Sequence, residues 1–138
     1  MKKIFKIVAI LFLITNTSCQ AQQMVQTPND AYKLKTNEIQ FLNKPLKNLL
    51  KEIKPEIKIA FGTLDAPSYF VFRFIDIQEL NNKGIGQNHL SLVVYVKEPI
   101  EEWSNGKRPK EIELKWTKED VEKYSNLTVI RIKVIGKD

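Results

Sequence analysis

Few of the 138 residues could carry covalent or proton-transfer chemistry, and their spacing keeps most of them apart. The one Cys, Cys19, is the one thiol, so an intrachain disulfide is excluded. The one His, His89, stands two residues before Ser91, the spacing that puts both on one face of a strand. Side chains two apart on a strand project in parallel, which is a poor geometry for a base and its nucleophile. Asp65 and Asp76 lie at opposite ends of a strand-like run, too far apart for a carboxylate pair. Glu101-Glu102 and Glu119-Asp120-Glu122 are the dense acidic groups, and they fit a loop and the start of a helix. With a single His, a metal site would rest on carboxylates. Gly84-Ile85-Gly86 lacks the third Gly, the Lys and the helix of a phosphate-binding loop. The sequence therefore offers no catalytic residue, no metal-ligand set and no cofactor site.

Two groups suit binding better. Tyr69, Arg73, His89 and Tyr95, joined by Arg131, fall on the mixed face of strand-like segments, and aromatic residues with Arg are what contact surfaces use. The second is the polar loop from Glu98 to Pro109, where Trp103 and Arg108 stand among Glu101, Glu102 and Lys107 as an anchor for a partner.

These residues need a scaffold, and the periodicity supplies one. Leu46, Leu49, Leu50 and Ile53 follow i, i+3, i+4, i+7 between Pro45 and Pro55, which predicts an amphipathic helix capped by Asn43 or Lys44, Asn43 being chemically the better cap. Five segments alternate as strands. They are Glu56 to Phe61 with Ile57, Ile59 and Phe61 inward, Ser68 to Ile75 with Phe70, Phe72 and Phe74 on one face, His89 to Lys97, Glu111 to Trp116, and Thr128 to Ile135. Thr117 followed by Glu119-Asp120 predicts a short helix to about Tyr124. The expected fold is α+β: a mainly antiparallel sheet of about five strands with one amphipathic helix packed on it and a second short helix, in the order α-β-β-β-β-α-β. Residues 38–138 form this single domain, and the Gln- and Asn-rich stretch 22–37 reads as a polar tether.

The front of the chain carries a different signal. Lys2, Lys3 and Lys6 precede an unbroken apolar run from Ile7 to Ile14, and the small and polar residues Thr15 to Ala21 follow. The run is far short of the ~20 residues a membrane-spanning helix needs. The layout is that of a secretory signal peptide. With Thr17-Ser18-Cys19 at its end it resembles an exported bacterial precursor of the lipoprotein type, which implies lipidation at Cys19 and removal of residues 1–18. Cleavage after Ala21, with Cys19 and Ala21 as the small residues of the site, is the competing reading and removes 1–21. The resemblance covers about 22 of 138 residues and implies a periplasmic or membrane-anchored location, not an activity. The mature domain resembles no functional family.

Charge narrows the partners. Three of the 22 basic residues lie in this leader, which takes the net charge from +6 to +3 on the remainder. Lys and Glu alternate through Lys110-Glu111-Ile112-Glu113, a solvated pattern rather than a basic stripe, so a nucleic-acid partner is not expected. The expectation is a small cell-envelope protein acting as a non-enzymatic binding or accessory module with a protein partner, touching membrane only through a lipid at Cys19. An immunity or inhibitor protein against an exported toxin or hydrolase is the alternative, and a small hydrolase-like enzyme with a pocket at Arg73, His89 and Tyr95 is a third. Intact mass of the protein from its own cells checks the front end. Acyl mass on a chain beginning at Cys19, absent in Cys19→Ser, is the expected result, whereas a chain beginning at Gln22 without added mass means cleavage after Ala21.

Overall fold

The computed structural model describes residues 22–83, 89–103 and 105–138. Cys19 and the leader lie outside them, as do Gly84-Ile85-Gly86. The helices are α1 (Tyr32–Thr36), α2 (Leu46–Leu50), α3 (Ile77–Asn82) and α4 (Lys118–Tyr124), and the strands are β1 (Ile59–Thr63), β2 (Tyr69–Arg73), β3 (Ser91–Val96) and β4 (Val129–Ile135). The strands form one antiparallel sheet in the order β1-β2-β3-β4, a meander. The fold is α+β as expected, but the described sheet has four strands, and the order is α-α-β-β-α-β-α-β.

The missing strand is Glu111 to Trp116. Pro109 leads into a single tight turn over Lys110–Ile112, and Lys115 N–H turns back to the Ile112 carbonyl at 3.0 Å. Arg108 draws the Ile112 and Lys115 carbonyls to its own guanidinium, both at 3.0 Å, so the backbone curls instead of extending. One sheet-like bond survives, from Ala60 N–H to the Leu114 carbonyl. α1 and α3 are unexpected helices; at the N-cap of α3, Asp76 accepts from Glu79 N–H at 2.7 Å.

The Leu-rich helix is shorter than its periodicity suggests, and Pro45, not Asn43, is its N-cap. Asn43 instead takes a left-handed conformation, φ 62°, which Asn tolerates better than most residues. The turn lets Asn43 N–H donate to the Val129 carbonyl while Lys44 accepts from Val129 N–H. The N–H groups of Leu46 and Lys47, which have no partner inside the helix, donate to the Leu127 and Ser125 carbonyls just past the end of α4. One helix's orphan donors thus satisfy another's orphan acceptors.

Residues 22–37 are not a tether. Val25, Ala31 and Leu34 have no exposed surface and belong to the core with Phe70, Phe72 and Leu92. Val25 is hydrogen-bonded on both sides, to the Glu52 carbonyl and from Lys54 N–H. Tyr32 Oη donates to the Gly136 carbonyl at 2.7 Å, and Asn29 exchanges two bonds with Asp138. The apolar residues here are too sparse to show a period, yet Val25, Ala31 and Leu34 are buried and Met24 packs against them in part. The domain therefore begins before residue 38. Leu34→Ala removes a fully buried side chain and is expected to cost ~3 kcal/mol. Urea denaturation measures it; an unchanged midpoint would mean that this segment does not belong to the fold.

Candidate functional site

The two faces of the sheet differ. On the first, Phe70 and Phe72 of β2 and Leu92 and Val94 of β3 are buried beneath the helices. Here the Trp103 indole is buried, 5% exposed, against Phe70, Trp116 and Tyr124 with ring centroids 5.8–6.0 Å away. A Cβ on Gly62 would come within 3.0 Å of Trp103 Cβ and Cγ, so the glycine in mid-strand is the seat of the indole. Trp103 is thus a core residue and not an anchor offered to a partner.

Arg108 closes the lid over that indole. Its guanidinium carbon lies 3.6 Å from the Trp103 ring centroid, and its Nη atoms grip Asp120 at 2.7 and 3.0 Å in a two-pronged ion pair. The side chains are 13% and 6% exposed. Asp120 also accepts from the N–H and hydroxyl of Thr117, completing the cap of α4. Arg108 is largely buried and its Nη atoms are taken by Asp120, Ile112 and Lys115, which removes it from the docking group.

The second face is built from alternate residues of the same strands. Register places Phe61, Val71, Val93 and Lys133 in one row, and Thr63, Tyr69, Tyr95 and Arg131 in the next. Ile59, Arg73, Ser91 and Ile135 follow. Tyr69, Arg73, His89 and Tyr95, the four residues predicted to share a surface, are brought together here. Tyr69 and Tyr95 pack at 5.1 Å between centroids with planes tilted 46°, and the Arg131 guanidinium lies 5.4 Å from the Tyr95 ring. A shallow depression of about 430 Å³ is lined only by strand residues and His89; no described helix contributes.

Two residues of this face were not foreseen. Phe61, expected inward, is 47% exposed, and Ile135 is 52% exposed. The parity of β1 is reversed because Ala60 and Gly62, the small residues, must face the crowded Trp103 loop. That pair of small residues was the readable signal. Ile130 is also exposed, because a register shift between Tyr95 and Val96 slips it off the ladder.

The geometry does not assemble acid–base machinery at His89. Arg73 Nε donates to Ser91 Oγ at 3.1 Å, and His89 Nε2 has no hydrogen-bond partner among the described residues. No cluster of three metal-ligating side chains and no helix long and apolar enough to cross a membrane occurs among the described residues. No protein-family model matches the chain, and no curated protein or solved structure matches it.

Burial pushes the Asp120 carboxyl up, but the Arg108 guanidinium and the Thr117 N–H and hydroxyl outweigh it and hold it below the usual carboxylate range. A depressed carboxyl stabilises the fold above its unfolded pKa and stops doing so as pH falls through its folded one. Stability is therefore expected to begin falling as acidification passes about pH 4. Asp120→Ala, which strands the guanidinium, should cost about 3 kcal/mol at neutral pH and flatten part of that acid slope. Urea midpoints across pH 2–7 test both; parallel profiles for the two proteins would contradict the assignment.

Proposed function

We propose that this protein is a small exported module that docks a protein partner in the cell envelope through the helix-free face of its sheet. One observation carries the reading: this face leaves Phe61 and Ile135 about half exposed beside a paired Tyr69–Tyr95, while the opposite face is fully packed. Tyr gives large contact area at a modest entropic cost, and Tyr with Arg near apolar residues is typical of binding surfaces. The leader supports the location, since Lys2, Lys3 and Lys6 followed by the Ile7 to Ile14 run make an export signal.

The side chains of this face are held before any partner arrives. Arg73 is tied to Ser91, and Tyr95 is held between Tyr69 and Arg131. Held side chains lose less conformational freedom on association than free ones. Photo-crosslinking in the cells that make the protein tests the reading. p-Benzoylphenylalanine in place of Phe61 should give a discrete protein adduct, and the same probe in place of Lys51, on the helical layer, should not. No adduct from either position, or equal smears from both, overturns it.

A further inference from the structure

We infer that the segment docking on this face is an acidic stretch of polypeptide that alternates carboxylates with apolar side chains. The inference rests on the docking reading and adds the chemistry of the partner. Arg73, Arg131 and Lys133 project from the face, and no Asp or Glu occupies any of its twelve register positions. The carboxylates that border it are already engaged. Glu38 accepts from Ile132 N–H at 2.6 Å and from Lys35 Nζ at 3.0 Å, and it also faces Arg131. Asp138 accepts from Leu90 N–H. The face therefore presents cationic charge that its own chain neutralises only in part, at Arg131.

The spacing of those charges selects the occupant. Arg73 is on β2, and Arg131 and Lys133 are on β4, two strands away, which is about 10 Å. Val71 and Val93 lie between them. One phosphate or carboxylate spans the two sides poorly, and a uniformly charged polymer would leave the half-buried Val71 and the exposed Phe61 uncovered. A segment with acidic residues at its margins and apolar ones between them meets both demands. A second copy of this chain does not, because a two-fold contact would press this face against itself, and none of its register positions holds a carboxylate to meet Arg73, Arg131 or Lys133.

The test uses the Phe61-labelled protein in its own cells. Arg131→Glu with Lys133→Glu, both on exposed positions, should reduce the adduct about tenfold, since two reversed ion pairs sum to that scale. Arg131→Gln with Lys133→Gln should give an intermediate loss, and Lys47→Glu with Lys51→Glu, remote from the face, should leave it unchanged. Unaltered urea midpoints separate lost docking from lost folding. Mass spectrometry of the adduct should place the crosslink in a peptide with net negative charge. An adduct that persists through charge reversal, or maps to a neutral or basic peptide, overturns the acidic partner while leaving docking intact. So does an adduct of twice the chain's mass, or one to lipid alone. Loss of every adduct in the unreversed protein is instead the failure of docking itself.

Discussion

The grip of Arg108 on Asp120 across the Trp103 ring holds together the part of the chain with least regular structure. Residues 97 to 117 contain one tight turn and no strand among those described, yet Ile100, Trp103 and Trp116 from this stretch pack into the core on the sheet's covered face. One guanidinium organises this stretch. It stacks on the indole, fixes the carbonyls of Ile112 and Lys115, and anchors all of this to the first turn of α4. Such a buried pair is not a large net source of stability, because desolvation offsets most of its attraction. Its effect is to specify one arrangement, since any other would leave a buried charge unpaired. The aromatic cluster then follows: with Trp103 pinned, Trp116 and Tyr124 close around Phe70 at 5.5 and 5.2 Å.

Concentrating the aromatic packing on one side leaves the other side free for contact. The four strands are covered by helices and the Trp103 loop on the Phe70–Phe72 face, and the chain supplies no second layer for the tyrosine face among its described residues. A sheet with one solvated face usually alternates apolar with polar residues. Here the positions on that side include Phe61 and Ile135, each about half exposed, and the half-buried Val71, which is more apolar surface than solubility alone requires. That excess is the physical ground for reading the face as a contact surface rather than as ordinary exterior.

Much of this was legible in the sequence, and the failures have physical causes. Alternation located all four strands, and Thr117 with Asp120 located α4 to its cap, because both signals are local. The mixed face was legible too, since period-two alternation in β2 and β3 puts Tyr69, Arg73, His89 and Tyr95 on one side. What was not legible depended on particular side-chain contacts rather than on periodicity. Ile112, Leu114 and Trp116 alternate like a strand, but Arg108 captures the carbonyls that a ladder would use. Residues 22–37 look like solvent-loving linker, yet three buried apolar side chains and a few backbone bonds suffice to dock them. Trp103 looked like a loop anchor because its seat, Gly62, is forty-one residues away in sequence.

How the sheet's edges are closed bears on how a partner is recognised. A free edge would invite strand addition, in which backbone bonds supply affinity with little demand on sequence. At β1, Ala60 N–H is taken by the Leu114 carbonyl. At β4, Val129 is paired on both sides with Asn43 and Lys44, and the Ile132 N–H is capped by the Glu38 carboxylate. Burial in the mouth of the fold pushes Glu38 up, but the bonds from Ile132 and Lys35 and the nearby Arg131 bring it below the usual carboxylate range, so the cap keeps its charge at neutral pH. On the docking proposal, with these backbone positions occupied, recognition at the sheet would fall to side chains. Discrimination would then depend on matching the tyrosine pair, the exposed apolar residues and the flanking cations together, which a generic extended strand does not do.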